Sequence, residues 1–241
     1  MSTKISTNRG RALAALAADG APRVMSPTEA REWLASNEVI VGGPAMIAML
    51  AEWSDLELVA KVRHGVYLNL RATPTPTAME AASRIRSGAV VSLQSVLGHA
   101  GVWNNDAHKT TVTGVLPLGL SRAVGTLEGE QGYTFIFAGM RDEMVNRPED
   151  ATWTKFAFQD GNRERASPEK ALLDWIYLSK HSPGWRMPPR HDIDMDLLDR
   201  DRLDYLAQGM ELTSELTAFE AGILRPPSPA KSSLSRRRRH P

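Results

Sequence analysis

The sequence predicts a mixed α/β (α+β) fold in two parts, and three observations carry that expectation. Three segments with helical signals run directly into an alternating apolar segment that has a turn at its centre. A Thr/Pro-rich link, "RATPTPTAME", then interrupts the chain at residues 71–80. Beyond it, stretches of period-two and helical apolar spacing are interleaved as far as about residue 222.

Residues 9–19, "RGRALAALAAD", are rich in Ala and Leu, which favour helix, and Gly20 follows at a C-cap position. The next helix opens at "SPTE": Ser26 is the N-cap, Pro27 suits the first helical position and Glu29 completes a capping box. Ala30, Trp33 and Leu34 then form an apolar stripe. A third helix is expected from Pro44 to about Trp53, with Ile47, Leu50 and Ala51 toward the core. In "LELVAKVRHGVYLNL", Val62 precedes and Val66, Leu68 and Leu70 follow a His64–Gly65 turn, which signals a β-hairpin. Three short helices followed by a hairpin is the order of a winged helix-turn-helix, expected over residues 1–71. The third helix would be the recognition helix, and Lys61, Arg63 and His64 the wing.

Pro fixes φ and keeps the residue before it extended, so the Thr/Pro link is the natural boundary. A mixed α/β domain is expected over residues 72–222. In it "GAVVSLQSVLGHAGV" reads as a strand and then a helix capped by Ser92. "TTVTGVLPLG" and "QGYTFIFAGM" read as paired strands, and "ATWTKFAFQD" as an alternating strand. "SPEKALLDWIYL" is a helix with Ser167 as N-cap, Pro168 at the first position and Glu169 in the first turn. Its apolar residues cover nearly every face, so it should be buried, with Lys170 and Asp174 paired four residues apart. "MDLLDRDRLDYLAQGM" and "LTSELTAFEAGIL" read as two more helices.

The composition, 24% charged and 42% hydrophobic over 241 residues, suits a globular protein able to bury a sizeable core. The absence of cysteine excludes disulfides and thiolate metal sites. "VIVGGPAMIAMLA" is too short for a membrane span, and Asp19 breaks the Ala/Leu run behind Arg9 and Arg11, so neither a span nor a secretion signal is expected. A cytoplasmic, soluble chain with no membrane partner is the expectation. The net charge of +1 is unevenly spread. Six of the 29 basic residues lie from Arg225 onward, where there is no acid, which leaves 23 against 28 acids, or −5, before them. Residues 223–241 are a Pro/Ser/Arg-rich tail expected to be disordered, in which Arg236, Arg237, Arg238 and Arg239 could touch nucleic acid.

"SPEKALLDWIYL", "VVSLQSVLGHAGV" upstream of it and "RHGVYLNL" in the hairpin, in this order behind three short helices, resemble the AbiEi antitoxin family of bacterial abortive-infection (type IV) toxin–antitoxin systems. The resemblance runs from residue 9 to about 220. It implies an N-terminal winged helix that represses the operon's own promoter. It also implies an α/β domain that neutralises a cognate nucleotidyltransferase toxin encoded beside it. A repressor of this kind would bind inverted repeats as a homodimer on DNA. One departure stands out. A DNA-reading helix normally offers Arg, Lys, Asn or Gln to base edges and phosphates, whereas the third helix here presents Ala45, Ala48, Met49 and Glu52. Met49 could touch thymine methyls and Glu52 could accept from cytosine. The positive charge would come from Lys61, Arg63 and His64 in the wing and from Arg9, Arg11, Arg23 and Arg31 near the first two helices.

Other candidates carry less. Asp192, Asp194 and Asp196 beside His191 could hold Mg²⁺ in a nucleotidyl transferase, but the preceding "SPGWRMPPR" has no phosphate-binding turn, and acids suit the start of a helix. His99, His108 and His181 share no ligand spacing, and "GTLEGEQG" lacks the context of a phosphate loop. No catalytic residue, cofactor or metal is therefore expected. A stand-alone transcription regulator and an enzyme built on the aspartates are the competing readings.

Overall fold

Capping and core-facing spacing place the first elements. The computed structural model describes residues 2–104, 110–147 and 150–223. Helix α1 (Ser2–Leu16) precedes strand β1 (Val24–Met25), α2 (Pro27–Ser36), α3 (Gly43–Asp55), β2 (Val59–Arg63) and β3 (Val66–Asn69). The capping box of α2 forms as its residues require: Ser26 Oγ accepts the Glu29 N–H at 3.2 Å, and Glu29 Oε2 accepts the Ser26 N–H at 2.8 Å. The three strands form one antiparallel sheet in the order β1-β3-β2. Asn69, fully buried at the end of β3, donates through Nδ2 to the carbonyls of Leu16 (2.8 Å) and Pro22 (3.3 Å), which fixes the end of α1 to the sheet.

That sheet has no solvent face. Met25, Val59 and Tyr67 pack with Ala12, Leu16, Leu34, Met46, Leu50 and Trp53 in a small helical core. Ala60, Val62 and Leu68 belong instead to the larger core formed by the rest of the chain. The link at 71–80 therefore separates two stretches of sequence, while the sheet before it is a layer shared by both cores.

Beyond the link come α4 (Ala82–Ile85), β4 (Val90–Val91), α5 (Gln94–His99), β5 (Thr111–Pro117), β6 (Gly125–Glu128) and β7 (Thr134–Met140). They are followed by α6 (Asp142–Val145), α7 (Ala151–Ala157), α8 (Pro168–His181), α9 (Arg200–Gly209) and α10 (Thr213–Glu220). The second sheet has the order β4-β5-β7-β6. Its central strands, β5 and β7, run parallel to each other and antiparallel to their outer neighbours. The fold is mixed α/β, as the sequence predicts.

Helix α8 is buried along most of its length. Ser167 Oγ accepts the Lys170 N–H (3.3 Å), Pro168 occupies the first helical position, and Glu169 through Leu178 are all buried. Lys170 and Asp174, 1% and 0% exposed, form an ion pair inside the core. Ser92 Oγ donates to the other carboxylate oxygen at 2.6 Å. Burial pushes the Asp174 carboxyl above its usual range, against the pull of the Lys170 charge and the hydrogen bonds from Lys170 and Ser92. Ser92 also accepts, at its carbonyl, the Thr113 hydroxyl (2.7 Å), so the network ties α8 to the β4–α5 turn and to β5.

Two expectations fail here. Ser92 does not cap α5; the cap position is Leu93, a buried residue at φ +61, and the Ser92 hydroxyl goes to Asp174 instead. Residues 153–157 are helical rather than extended. Asp150 Oδ1 accepts the Trp153 N–H (2.9 Å) as an N-cap, and Trp153 and Ala157 then share a buried helical face, leaving Phe158 as the extended residue bridged to Ala166. Alternating large and small residues in this short segment fit either period, and the cap decides.

Removing one member of a buried pair leaves an uncompensated charge, at a cost of about 3–5 kcal/mol. Lys170→Met alone and Asp174→Leu alone are each expected to lose that much in urea unfolding, and the double variant to recover most of it. Losses that simply add in the double variant would show that the pair is not coupled.

Candidate nucleic-acid interface

Helix α3 begins at Gly42, which caps it without a side-chain bond, and carries Pro44 in its first turn. Its buried residues are Met46, Leu50 and Trp53. This corrects the expected face: Leu50 is inside, but Ile47 is 58% exposed and Ala51 is exposed. Met46, the neighbour of Ile47, and Trp53, two residues beyond Ala51, fill the core in their place. The outward face is therefore Pro44, Ala45, Ile47, Ala48 and Ala51, with Ile40 just before the helix at 89% exposed. Met49 is half-buried against the helical core, and Glu52 is engaged by Arg9 Nη2 at 2.8 Å.

The hairpin turns at His64 and Gly65, as the sequence predicts, with Gly65 at φ +73, a conformation that favours glycine. His64 is exposed and Arg63 half-buried, with Arg63 Nη1 shielded from solvent and unpartnered. Arg31 is exposed, and its Nη1 lies 3.8 Å from where a Cβ on Gly43 would stand, beside the first turn of α3. Besides Arg9, two more of the cations expected at the interface are paired with carboxylates. Lys61 Nζ is 2.9 Å from Glu130, whose hydrogen bond raises the lysine's pKa. Arg23 grips both carboxylate oxygens of Glu80, at 2.7 and 3.0 Å.

Glu130 belongs to the turn between β6 and β7, which closes on the hairpin from behind. Its N–H donates to the Val62 carbonyl at 2.9 Å, and Gln131 Nε2 donates to Ser54 Oγ on α3 at 3.1 Å. Gly129 makes this approach possible: a Cβ there would lie 2.5 Å from the Val62 oxygen and 2.9 Å from that of Tyr133. A second tie joins Arg84 on α4 to Glu29. Burial alone would raise the carboxyls of Glu80 and Glu29. Hydrogen bonds outweigh it and hold both below their ordinary range, from Arg23 and the Thr77 N–H for Glu80, and from Ser26 and Arg84 for Glu29.

The aspartate run does not assemble a site. Asp194 Oδ1 accepts the Asp196 N–H (3.1 Å), His191 Nε2 is 3.2 Å from Asp192, and Asp199 caps α9. Among the described residues no group of three or more His, Cys, Asp or Glu is arranged to hold a metal ion. His99 closes α5, and His181 packs against Tyr177 with ring centroids 4.5 Å apart. His108 and Arg236, Arg237, Arg238 and Arg239 lie outside the described residues. No helix among those described is long and apolar enough to cross a membrane. The partners of Lys61 and Arg23 had no signal in the sequence, because Glu130 and Glu80 lie 69 and 57 residues further along the chain.

No family model and no curated protein matches the chain. Among solved structures, the crystal structure of RV2827C protein from Mycobacterium tuberculosis aligns with 89% of this chain and 76% of its own, with a TM-score of 0.50 and 14% sequence identity. At that identity the likeness shows the fold alone.

The depressed carboxyls make a pH prediction. Their pairs stabilise the fold fully above the unfolded carboxylate pKa, about 4.3, and that contribution is lost as pH falls through the lower folded values. Glu29→Gln/Glu80→Gln is expected to flatten the fall in urea stability between about pH 5 and pH 3; an unchanged slope would remove these two ties as its cause.

Proposed function

We propose that this chain is an AbiEi-like antitoxin and autorepressor of the bacterial cytoplasm. Residues 1–71 act as a winged helix-turn-helix on the operon's own promoter, and the α/β part opposes a nucleotidyltransferase toxin. The carrying observation is the order of helices and strands up to residue 69, with the sheet order β1-β3-β2 and an outward α3 followed by a hairpin whose tip is exposed. A helix placed in a major groove with a hairpin beside it needs those features. The methyl groups of Ala45, Ile47 and Ala48 suit thymine contacts, and Arg31, Arg63 and His64 supply phosphate contacts at the start of the helix and the tip of the hairpin. Lys61 and Arg23 contribute less, since each already faces a carboxylate. With so few free cations, a single copy binds weakly and two copies on inverted half-sites are needed. In this reading the chain performs no chemistry and needs no cofactor, and "SPEKALLD" serves the core rather than a contact with the toxin.

One observation favours a second reading. The outward face of α3 with Ile40 is apolar and carries no positive charge, so the same unit also suits a protein contact or a stand-alone regulator. The two readings are separated by binding to the DNA upstream of the gene. Arg31→Gln/Arg63→Gln is expected to weaken binding to every duplex and to lower the salt slope by about 2. Lys61→Gln should change it less. Growth rescue against the neighbouring gene is tested with the full chain, because truncation at residue 72 would remove Ala60, Val62 and Leu68 from the larger core. The double variant should still rescue growth while losing repression. Failure to bind DNA together with an innocuous neighbour would sink the proposal.

A further inference from the structure

Away from α3 and the hairpin, the space between α7, α9 and the start of α8 holds a pocket of about 440 Å³ lined by Lys155, Phe158, Gln159, Gly161, Pro168 and Arg202. Among the described lysines, one of its two cations stands apart. Lys61, Lys170 and Lys180 each meet a carboxylate, whereas Lys155 makes no ion pair or side-chain hydrogen bond with the described residues. Lys155 Nζ stands 5.5 Å from the Phe156 ring, and the Arg202 guanidinium approaches the same ring at 5.8 Å. Arg202 Nε is shielded from solvent and has no hydrogen-bond partner. Glu169 Oε2 lies 3.6 Å from Arg202 Nη1, beyond hydrogen-bond reach, and Glu169 Oε1 accepts the Asp199 N–H at 3.0 Å. The carboxylate therefore offsets the charge of Arg202 without satisfying its donors, and among the described side chains lining the pocket Lys155 remains as net positive charge.

We infer that this pocket binds the phosphate group of a small molecule of about mononucleotide size. A guanidinium with free donors and an unpaired ammonium on different elements suit an oxyanion approached from two sides. Pro168 brings the positive end of α8 to the same wall, and the Gln159 amide adds a donor. Pro168, with the almost wholly buried Phe158 behind it, forms the apolar part of the pocket wall beside the remainder of the ligand. The volume lies within the ordinary range for small-molecule sites, and the concave shape favours a single phosphate ester over a duplex. This site is independent of the proposed DNA-binding surface.

The test is calorimetric titration of the full chain with inorganic phosphate, adenosine 5′-monophosphate and adenosine. The nucleotide is expected to bind more tightly than phosphate, and adenosine not measurably. Lys155→Gln, at an exposed position that the core does not need, should weaken the nucleotide about tenfold. Arg202→Gln should do the same, while Arg122→Gln should leave binding unchanged. No binding of phosphate or nucleotide, equal binding by Lys155→Gln, or equal binding of adenosine would each overturn the inference. So would a duplex that displaces the nucleotide and loses affinity in Lys155→Gln to the same extent, since the pocket would then be a nucleic-acid contact.

Discussion

Lys170 and Asp174 face each other inside the larger core with almost no exposure, and the second carboxylate oxygen takes the Ser92 hydroxyl. Neither charge can be left alone at that depth, so the helix, the β4–α5 turn and, through Thr113, strand β5 are held in one register. The turn they hold contains Leu93 at φ +61, a conformation a branched aliphatic residue rarely adopts without surrounding support. The pair therefore acts as a fastening between elements far apart in sequence. All three side chains are closed off from solvent, with Ser92 and Lys170 each bonded to Asp174.

The shared sheet has a comparable consequence for the N-terminal part. Because Ala60, Val62 and Leu68 lie in the larger core and Glu130 bonds to Val62 and Lys61, the hairpin is held from behind and is not a free appendage. A rigid hairpin offers a fixed geometry to a partner. Lys61 and Arg23 are both taken up by carboxylates, so the outward surface is an apolar helix flanked by a few charges at its edges. In the DNA-binding role proposed above, long-range electrostatic attraction to this surface would be weak and selectivity would rest on shape and methyl contacts.

Much of this was legible in the residues themselves. The capping box at Ser26–Glu29, the Ser167–Pro168 start of α8, the His64–Gly65 turn and the Lys170–Asp174 spacing are local signals whose physical causes lie within four residues, and all formed as read. Where the local signal was ambiguous, tertiary contacts chose. Ile47 and Met46 are both apolar neighbours on one helix; Met46 joins the core that holds Leu34 and Val59, and Ile47 is left exposed. The segment at 153–157 alternates as a strand would, yet Asp150 and the core space that receives Trp153 make it a helix.

The mixed α/β class, the order of most elements and the burial of α8 are written locally in the chain, because they follow from spacing, caps and turn residues along short stretches of it. Other outcomes came only with folding in three dimensions: Lys61 and Arg23 face carboxylates, one sheet serves two cores, and Lys155 and Arg202 meet at one pocket. Those outcomes depend on distances between residues many tens of positions apart, and no local periodicity encodes which charge will meet which.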